Sequence, residues 1–273
     1  MSRPTTAFFG ATGGSTSSAL AHALRDGHTC TALVRTPQKL ADMLKTKYSI
    51  SSSTIDSLLT VIAGDIRDLT AITKALVSPT NPSNLVDNII TGVGTYPKMQ
   101  LSLLTPLVSS DPSLCEDGMK AILAAMDLLR ERGITTAVDG RKPLCLAISS
   151  TGVNGKKQDV PLGHRPLYSI LGPIAHIDKQ KMELALIADA GIHTRDFIIV
   201  RPTLLTDGKP QGYNKVKSGW EWGGKGAASV KNGVQEPGPM LGYTIAREDV
   251  GEWIWKKAMK EGEWAGKCIT LAY

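Results

Sequence analysis

Two groups of residues have types and spacings that can do chemistry. Residues Phe8 to Ser18 read Phe-Phe-Gly-Ala-Thr-Gly-Gly-Ser-Thr-Ser-Ser, an apolar run, then glycines, then hydroxyl-bearing residues. Gly10 permits a tight turn, and Gly13 and Gly14 lack the Cβ that would hold the backbone away from an anion. A helix starting here would point its unpaired amides and positive dipole end at the same place, making a cradle for a dinucleotide's phosphates. The second group is His176, Asp178 and Lys179, three titratable side chains in one short stretch. His176 has the intrinsic pKa best suited to proton transfer near neutrality, and Asp178 would serve if desolvation raised its own. A plainer reading also stands: Asp178 favours a helix dipole and His176 is solvated.

Positioning these groups requires strands that end beside them. Short apolar runs at Thr6-Gly10, Thr29-Val34, Leu58-Ala63, Val86-Thr91, Leu144-Ser149, Phe197-Arg201 and Lys267-Ala272 read as strands, alternating with helical stretches. That alternation predicts an α/β architecture, a doubly wound parallel sheet of the Rossmann type covered by helices on both faces. Between Asp111 and Gly133 the positions Met119, Ile122, Leu123, Met126 and Leu129 share one helical face, with Asp111-Pro112 as a cap and first-turn pair. Met182, Ala185, Leu186 and Ala190 mark a second long helix that Gly191 ends. Segments 94-112, 151-175 and 203-243 lack periodicity and are rich in Gly, Pro and Ser. In such a sheet the loops after strands lie at the carboxyl edge, so these three are the expected substrate loops of a single domain spanning 1-273.

The strand ends carry further signals. Arg35 closes the second strand, where an acidic residue would bind the ribose 2′-hydroxyl of NAD and an arginine instead forks onto a 2′-phosphate. NADP, with NADPH preferred over NADH, is therefore the expected cofactor. Gly64-Asp65-Ile66 follows the third strand, Thr91-Gly92-Val93-Gly94 the fourth, and Ile148-Ser149-Ser150-Thr151-Gly152 the fifth, which puts hydroxyls near the nicotinamide side of the crevice. Composition narrows the partners. Hydrophobic residues make up 42% and charged residues 21%, as in ordinary globular proteins. The net charge of +6 is dispersed rather than striped, which suits an anionic cofactor and gives no expectation of nucleic acid. The four cysteines are scattered with no Cys-x-x-Cys pair and no cluster of further ligands, so reduced thiols and no metal are expected. No apolar run is long enough for a membrane span or a secretory leader, making cytoplasmic location the expectation.

Taken together, the Gly-Ala-Thr-Gly-Gly opening, the run from Leu33 to Leu40, Gly-Asp-Ile-Arg-Asp, Ile-Ser-Ser-Thr-Gly, the helix start Asp178 to Glu183, Arg201-Pro202-Thr203 and Ala246-Arg247-Glu248-Asp249-Val250 resemble the atypical short-chain dehydrogenase/reductase group. The likeness is to its NmrA-like and biliverdin-reductase-B-like members. It implies that Gly10, Thr12, Gly13, Gly14, Ser15, Arg35, Asp65, Gly92, Ser149 and Lys179 line the NADP site, with Pro202 and Thr203 near the nicotinamide. Two departures stand out. Thr16 occupies the place of the family's third glycine, which implies a small shift of the first helix. The tyrosine of the carbonyl-reducing Tyr-x-x-x-Lys pair is replaced by Ala175, leaving His176, Asp178 and Lys179 to compete as proton donor, with Ser149 orienting the substrate.

Other candidates are weaker. Tyr213-Lys217 spells Tyr-x-x-x-Lys but follows the Arg-Pro-Thr strand, so it reads as coincidence, whereas Tyr168 could fold back into the site or simply pack. Asp249 reads as part of a helix cap. Trp220 and Trp222 suit a lid over a flat substrate, a dimer contact or loop packing. Three functions follow as expectations: an NADPH-dependent oxidoreductase passing hydride to a small ring-containing quinone, flavin, imine or enone, within natural-product biosynthesis; an NADP-bound isomerase or cyclase without net redox change; and an NmrA-like redox-sensing regulator. A homodimer is compatible with any of them.

Overall fold

The apolar runs become strands because all but the one at 59–63, which lies at the sheet edge, are buried on both faces. In the computed structural model, which describes residues 3–95, 97–99, 107–153, 155–164, 166 and 173–273, the main sheet has eight strands. They are β1 (Thr6–Phe9), β2 (Cys30–Val34), β3 (Leu59–Ala63), β4 (Asn88–Thr91), β5 (Leu144–Ile148), β6 (Asp196–Pro202), β7 (Lys217–Trp222) and β8 (Lys267–Ala272). Their order across the sheet is β3-β2-β1-β4-β5-β6-β8-β7. All neighbours run parallel except β7, which runs antiparallel along β8. The order reverses between β1 and β4, the switch point where a crevice opens outside the carboxyl ends of the strands.

Period-two alternation splits the sheet into two cores. Phe8, Ala32, Ile90, Leu146, Ile198 and Ile269 face α1 (Gly14–Arg25), α2 (Pro37–Thr46), α3 (Ser52–Leu58) and a helix that begins near residue 247. Phe9, Leu33, Ile89, Cys145, Ile199 and Cys268 face α4 (Leu69–Leu76), α5 (Leu114–Glu131) and α6 (Pro173–Asp189). Phe8 and Phe9 are both fully buried, on opposite faces, and each such side chain contributes roughly 1.5–3 kcal/mol of transfer free energy. The late helix, α7 (Arg247–Trp253), continues as a wider π-helical turn through Met259. No helix of the described residues is long and apolar enough to cross a membrane.

Two expectations are corrected. The Trp220-Glu221-Trp222 stretch, read as loop, is the edge strand β7. Trp220 and Trp222 pack edge to face with ring centroids 4.8 Å apart, and the Lys267 ammonium lies 4.3 Å from the Trp220 ring centroid. They are committed to the sheet edge rather than held out as a lid. The helix expected from Asp111-Pro112 starts at Leu114, with Ser113 at its N-cap position. Tyr168 lies outside the described residues, as do parts of segments 94–112 and 151–175.

Candidate functional site

The turn between β1 and α1 is shaped by close contacts that exclude side chains. Gly10 has φ +76°, and a Cβ on it would lie 2.8 Å from the Gly92 carbonyl oxygen, so both conformation and space demand glycine. Gly13 occupies the N-cap of α1 and brings no side chain to satisfy the first amides of the helix, which leaves them for a ligand. Thr16 is fully enclosed, at 1% exposure. Its Oγ1 lies 2.0 Å from where a Cβ on Gly92 would be, so the missing side chain at Gly92 makes the room that Thr16 uses.

The remaining predicted positions lie along the carboxyl ends of the same strands. Arg35, just past β2, is exposed, and among the described residues no hydrogen bond or ion pair engages it. Asp65, past β3, is exposed and accepts from the Arg67 amide at 3.0 Å. Ser149 follows β5, Pro202 closes β6 and Thr203 comes next. The Ser149 amide donates to the Val200 carbonyl and the Thr203 amide to the Leu271 carbonyl, which fixes both strand ends. Three hydroxyls spaced along this edge, Ser15 Oγ, Ser149 Oγ and Thr203 Oγ1, are buried and have no hydrogen-bond partner among the described residues. Folded chains leave few such groups. Uncapped amides, glycine-enforced backbone approach and orphaned hydroxyls together fit an extended phosphate- and ribose-bearing cofactor.

The proton-donor candidates separate by environment. The Asp178 carboxylate is buried and accepts from the Cys115 amide at 2.9 Å and the Glu116 amide at 2.8 Å. It therefore caps α5 from a different helix, and both of its oxygens are engaged. Lys179 Nζ donates to the Ser149 carbonyl at 3.1 Å. Burial pulls the Lys179 ammonium below the usual lysine range, with partial relief from nearby Cys115, Glu183 and Asp178. Burial likewise lowers the His176 imidazole, and the Lys179 charge lowers it further. A neutral imidazole can donate a hydrogen bond, but it makes a poorer proton store than an imidazolium.

Several residues near this edge have contacts that the sequence reading did not assign. Arg201 is fully buried, forked onto Glu183 at 3.0 and 2.7 Å, and reaches Glu221 at 3.4 Å. Glu221 also accepts from the amides of Lys156 and Lys157, and Glu236 accepts from Lys156 Nζ at 2.7 Å. Strand β7 thus anchors the loop that follows β5. The signal was available, because an arginine in an otherwise apolar strand must find a buried carboxylate. Beyond the ends of β5 and β8, Pro161, Leu162, Leu241 and Tyr243 wall a cavity of about 580 Å³, with His164 edge-on to the Tyr243 ring. Asp249, in the first turn of α7, does not cap its own helix; its carboxylate accepts from the Gln211 and Gly212 amides and the Tyr273 hydroxyl. Tyr213 carries the Lys256 ammonium over its ring at 4.5 Å, and Lys217 is exposed on β7.

Comparison with known proteins agrees with this geometry. A family model described as NAD(P)H-binding matches residues 10–260. Reductase pytE of Aspergillus terreus is 38% identical over 285 residues, covering 100% of this chain and 99% of that protein. Oxidase pynE of Aspergillus niger is 34% identical over 293 residues, covering 99% of each. Among solved structures, the anaerobilin reductase ChuY of Escherichia coli superposes with a TM-score of 0.57 at 18% identity, covering 98% of this chain and 96% of that one. The expected fold class and family both hold: the chain belongs to the NAD(P)H-binding oxidoreductases of the atypical short-chain dehydrogenase/reductase group.

Proposed function

We propose that the protein is an NADPH-dependent reductase that delivers hydride to a small ring-containing electrophile, a quinone, flavin, imine or enone, in natural-product assembly. The observation that carries this reading is the pairing at the end of β5: a fully buried Ser149 hydroxyl without a partner among the described residues, beside a Lys179 ammonium held on the Ser149 carbonyl. The names of the two curated relatives, a reductase and an oxidase, support redox chemistry.

NADPH would supply the hydride. The chain's own residues then have distinct tasks. The α1 amides, Gly10, Thr12, Gly13, Gly14 and Ser15 hold the phosphates, with Asp65 and Gly92 flanking the adenosine half and Pro202 and Thr203 the other end. Arg35 recognises the 2′-phosphate, which favours NADPH over NADH. The apolar wall of Leu162, Leu241 and Tyr243 takes a flat ring. Ser149 Oγ hydrogen-bonds the substrate heteroatom. Lys179, made a stronger acid by burial, stabilises the charge that develops there and gives up its proton; His176, neutral, orients the substrate; Asp178 ties α6 to the start of α5.

The test is NADPH oxidation against a panel of quinones, flavins, imines and enones, with product analysis. Oxidation that requires an added electrophile, one reduced product per NADPH, supports the proposal. Product formed without net cofactor consumption would instead identify an isomerase or cyclase, and nucleotide-dependent binding of a protein partner without turnover would identify a regulator. For Lys179, the rate should fall on the alkaline side below the ordinary lysine value of 10.5, and Lys179→Met should abolish that limb.

A further inference from the structure

A two-stranded parallel ribbon beside the main sheet pairs Leu204–Thr206 with Thr244–Ala246, Thr206 opposite Ala246. The next residues, Asp207 and Arg247, therefore leave the ribbon together. Arg247 is the first residue of α7, and α7 lies tightly against α1. A Cβ on Gly251 would sit 2.3 Å from the Ser15 carbonyl oxygen, and Ser18 Oγ donates to the Glu248 carbonyl at 2.8 Å. This packing lays the Arg247 stem across the first turn of α1, where a Cβ on Gly14 would lie 2.7 Å from Arg247 Cδ. The absent side chain at Gly14 thus serves the arginine as well as an incoming phosphate.

The charge at the end of that stem has an exposed partner. Arg247 Nη1 meets Asp207 Oδ1 at 3.0 Å, with the arginine side chain 19% exposed and the aspartate 80% exposed. An ion pair with one member that open to water is held weakly and gives way to a better-placed anion. Independently, Ser15 Oγ, 6% exposed and next in sequence to Gly14, has no hydrogen-bond partner among the described residues, so the same turn lacks an acceptor or donor that a ligand would bring.

We infer that Arg247 is a cofactor-binding residue that recognises the diphosphate of the dinucleotide, with Asp207 holding its guanidinium until the cofactor arrives. A guanidinium offers planar, paired N–H donors matched to phosphate oxygens and keeps its charge at any working pH. The inference rests on the proposed NADP site and adds a recognition element from the far end of the sequence.

Calorimetry on the full chain with two probes tests it: 2′-phospho-ADP-ribose, which carries the diphosphate, and adenosine 2′-monophosphate, which does not. Arg247→Met keeps the stem over Gly14 and removes the charge. It should bind the diphosphate probe about tenfold more weakly, as expected for losing one charged hydrogen-bonding partner, and leave the monophosphate within about twofold. Asp207→Asn should tighten the diphosphate probe about two- to fivefold by removing the carboxylate that competes with it for the arginine. Unchanged binding of the diphosphate probe to Arg247→Met, or an equal loss for both probes, overturns the inference while leaving the NADP site standing. If the unaltered protein binds neither probe, the NADP site and the inference fall together. Should Arg247→Met not fold cooperatively, Asp207→Asn decides, and no gain for the diphosphate probe rejects the role.

Discussion

Arg35 and Asp178 are both charged residues that the sequence offers as site candidates, yet the structure gives them opposite circumstances, and substitution should expose the difference. Arg35 is exposed and unengaged among the described residues, so Arg35→Glu should leave stability nearly unchanged. It should weaken NADPH by about 2–3 kcal/mol, the scale of lost charged hydrogen bonds plus new repulsion, and NADH by much less. The ratio of the two dissociation constants reads this directly, and equal losses would remove Arg35 from the 2′-phosphate. Asp178, with both oxygens on the α5 amides, should behave as a cap: Asp178→Asn should cost about 1 kcal/mol in denaturant unfolding. Saturated turnover should change only a few-fold, and a hundredfold fall in kcat at unchanged stability would reinstate it as the acid. The sequence could suggest a 2′-phosphate role for Arg35 because that signal is local to one strand end. It could not display the cap, because the amides that Asp178 serves lie 62 and 63 residues away.

Among the elements, strands were readable wherever an apolar run is bounded by turn residues, and this covers all seven predicted runs, including the edge strand β3 with its exposed Thr60. Strand β7 was not readable for a physical reason. Its buried positions are Gly219 and Glu221, so the inward side shows no hydrophobic period, while the aromatic Trp220 and Trp222 are only half-buried. Gly219 is there because the 238–240 backbone crosses it, where a Cβ would lie 2.4 Å from the Met240 nitrogen. Glu221 is there for Arg201 and the loop amides. The departure at Thr16 is a matter of element packing too, and a mutant cycle tests it. Gly92→Ala should destabilise the protein by about 1–3 kcal/mol, the usual range for overpacking, because the new methyl meets Thr16 Oγ1. Thr16→Gly in the Gly92→Ala background should recover a large part of that loss, despite the intrinsic cost of a helical glycine. No recovery would mean that the two positions do not share this space.

For the whole molecule, burial of histidine sets a pH window of stability. The imidazole of His22, on α1, is pushed below its ordinary value mainly by burial, against an opposing pull from Glu252, and His176 on α6 is lowered by burial and by Lys179. Unfolding returns both to about 6.5. Between their depressed folded values and 6.5 the unfolded chain binds protons that the folded chain refuses, so stability is fully present above 6.5 and declines as the pH falls through that value. The buried Asp159 has the opposite sense. Burial raises its folded pKa, so its contribution is present in acid and is lost as the pH rises from the ordinary 3.8 through the raised value. Carboxylates held low by cationic neighbours, such as Asp111 beside Arg67, lose their contribution only near and below 3.8. Tm measured from about pH 8 down to about pH 5.5 should therefore fall on acidification, and the double substitution His22→Gln, His176→Gln should flatten that fall. Saturating NADPH should raise Tm at every pH in this range by mass action, since only the folded chain carries the nucleotide cradle. A slope that persists in the double variant would mean that neither imidazole is held neutral by the fold, and would return His176 to the protonated state that proton donation to a substrate requires.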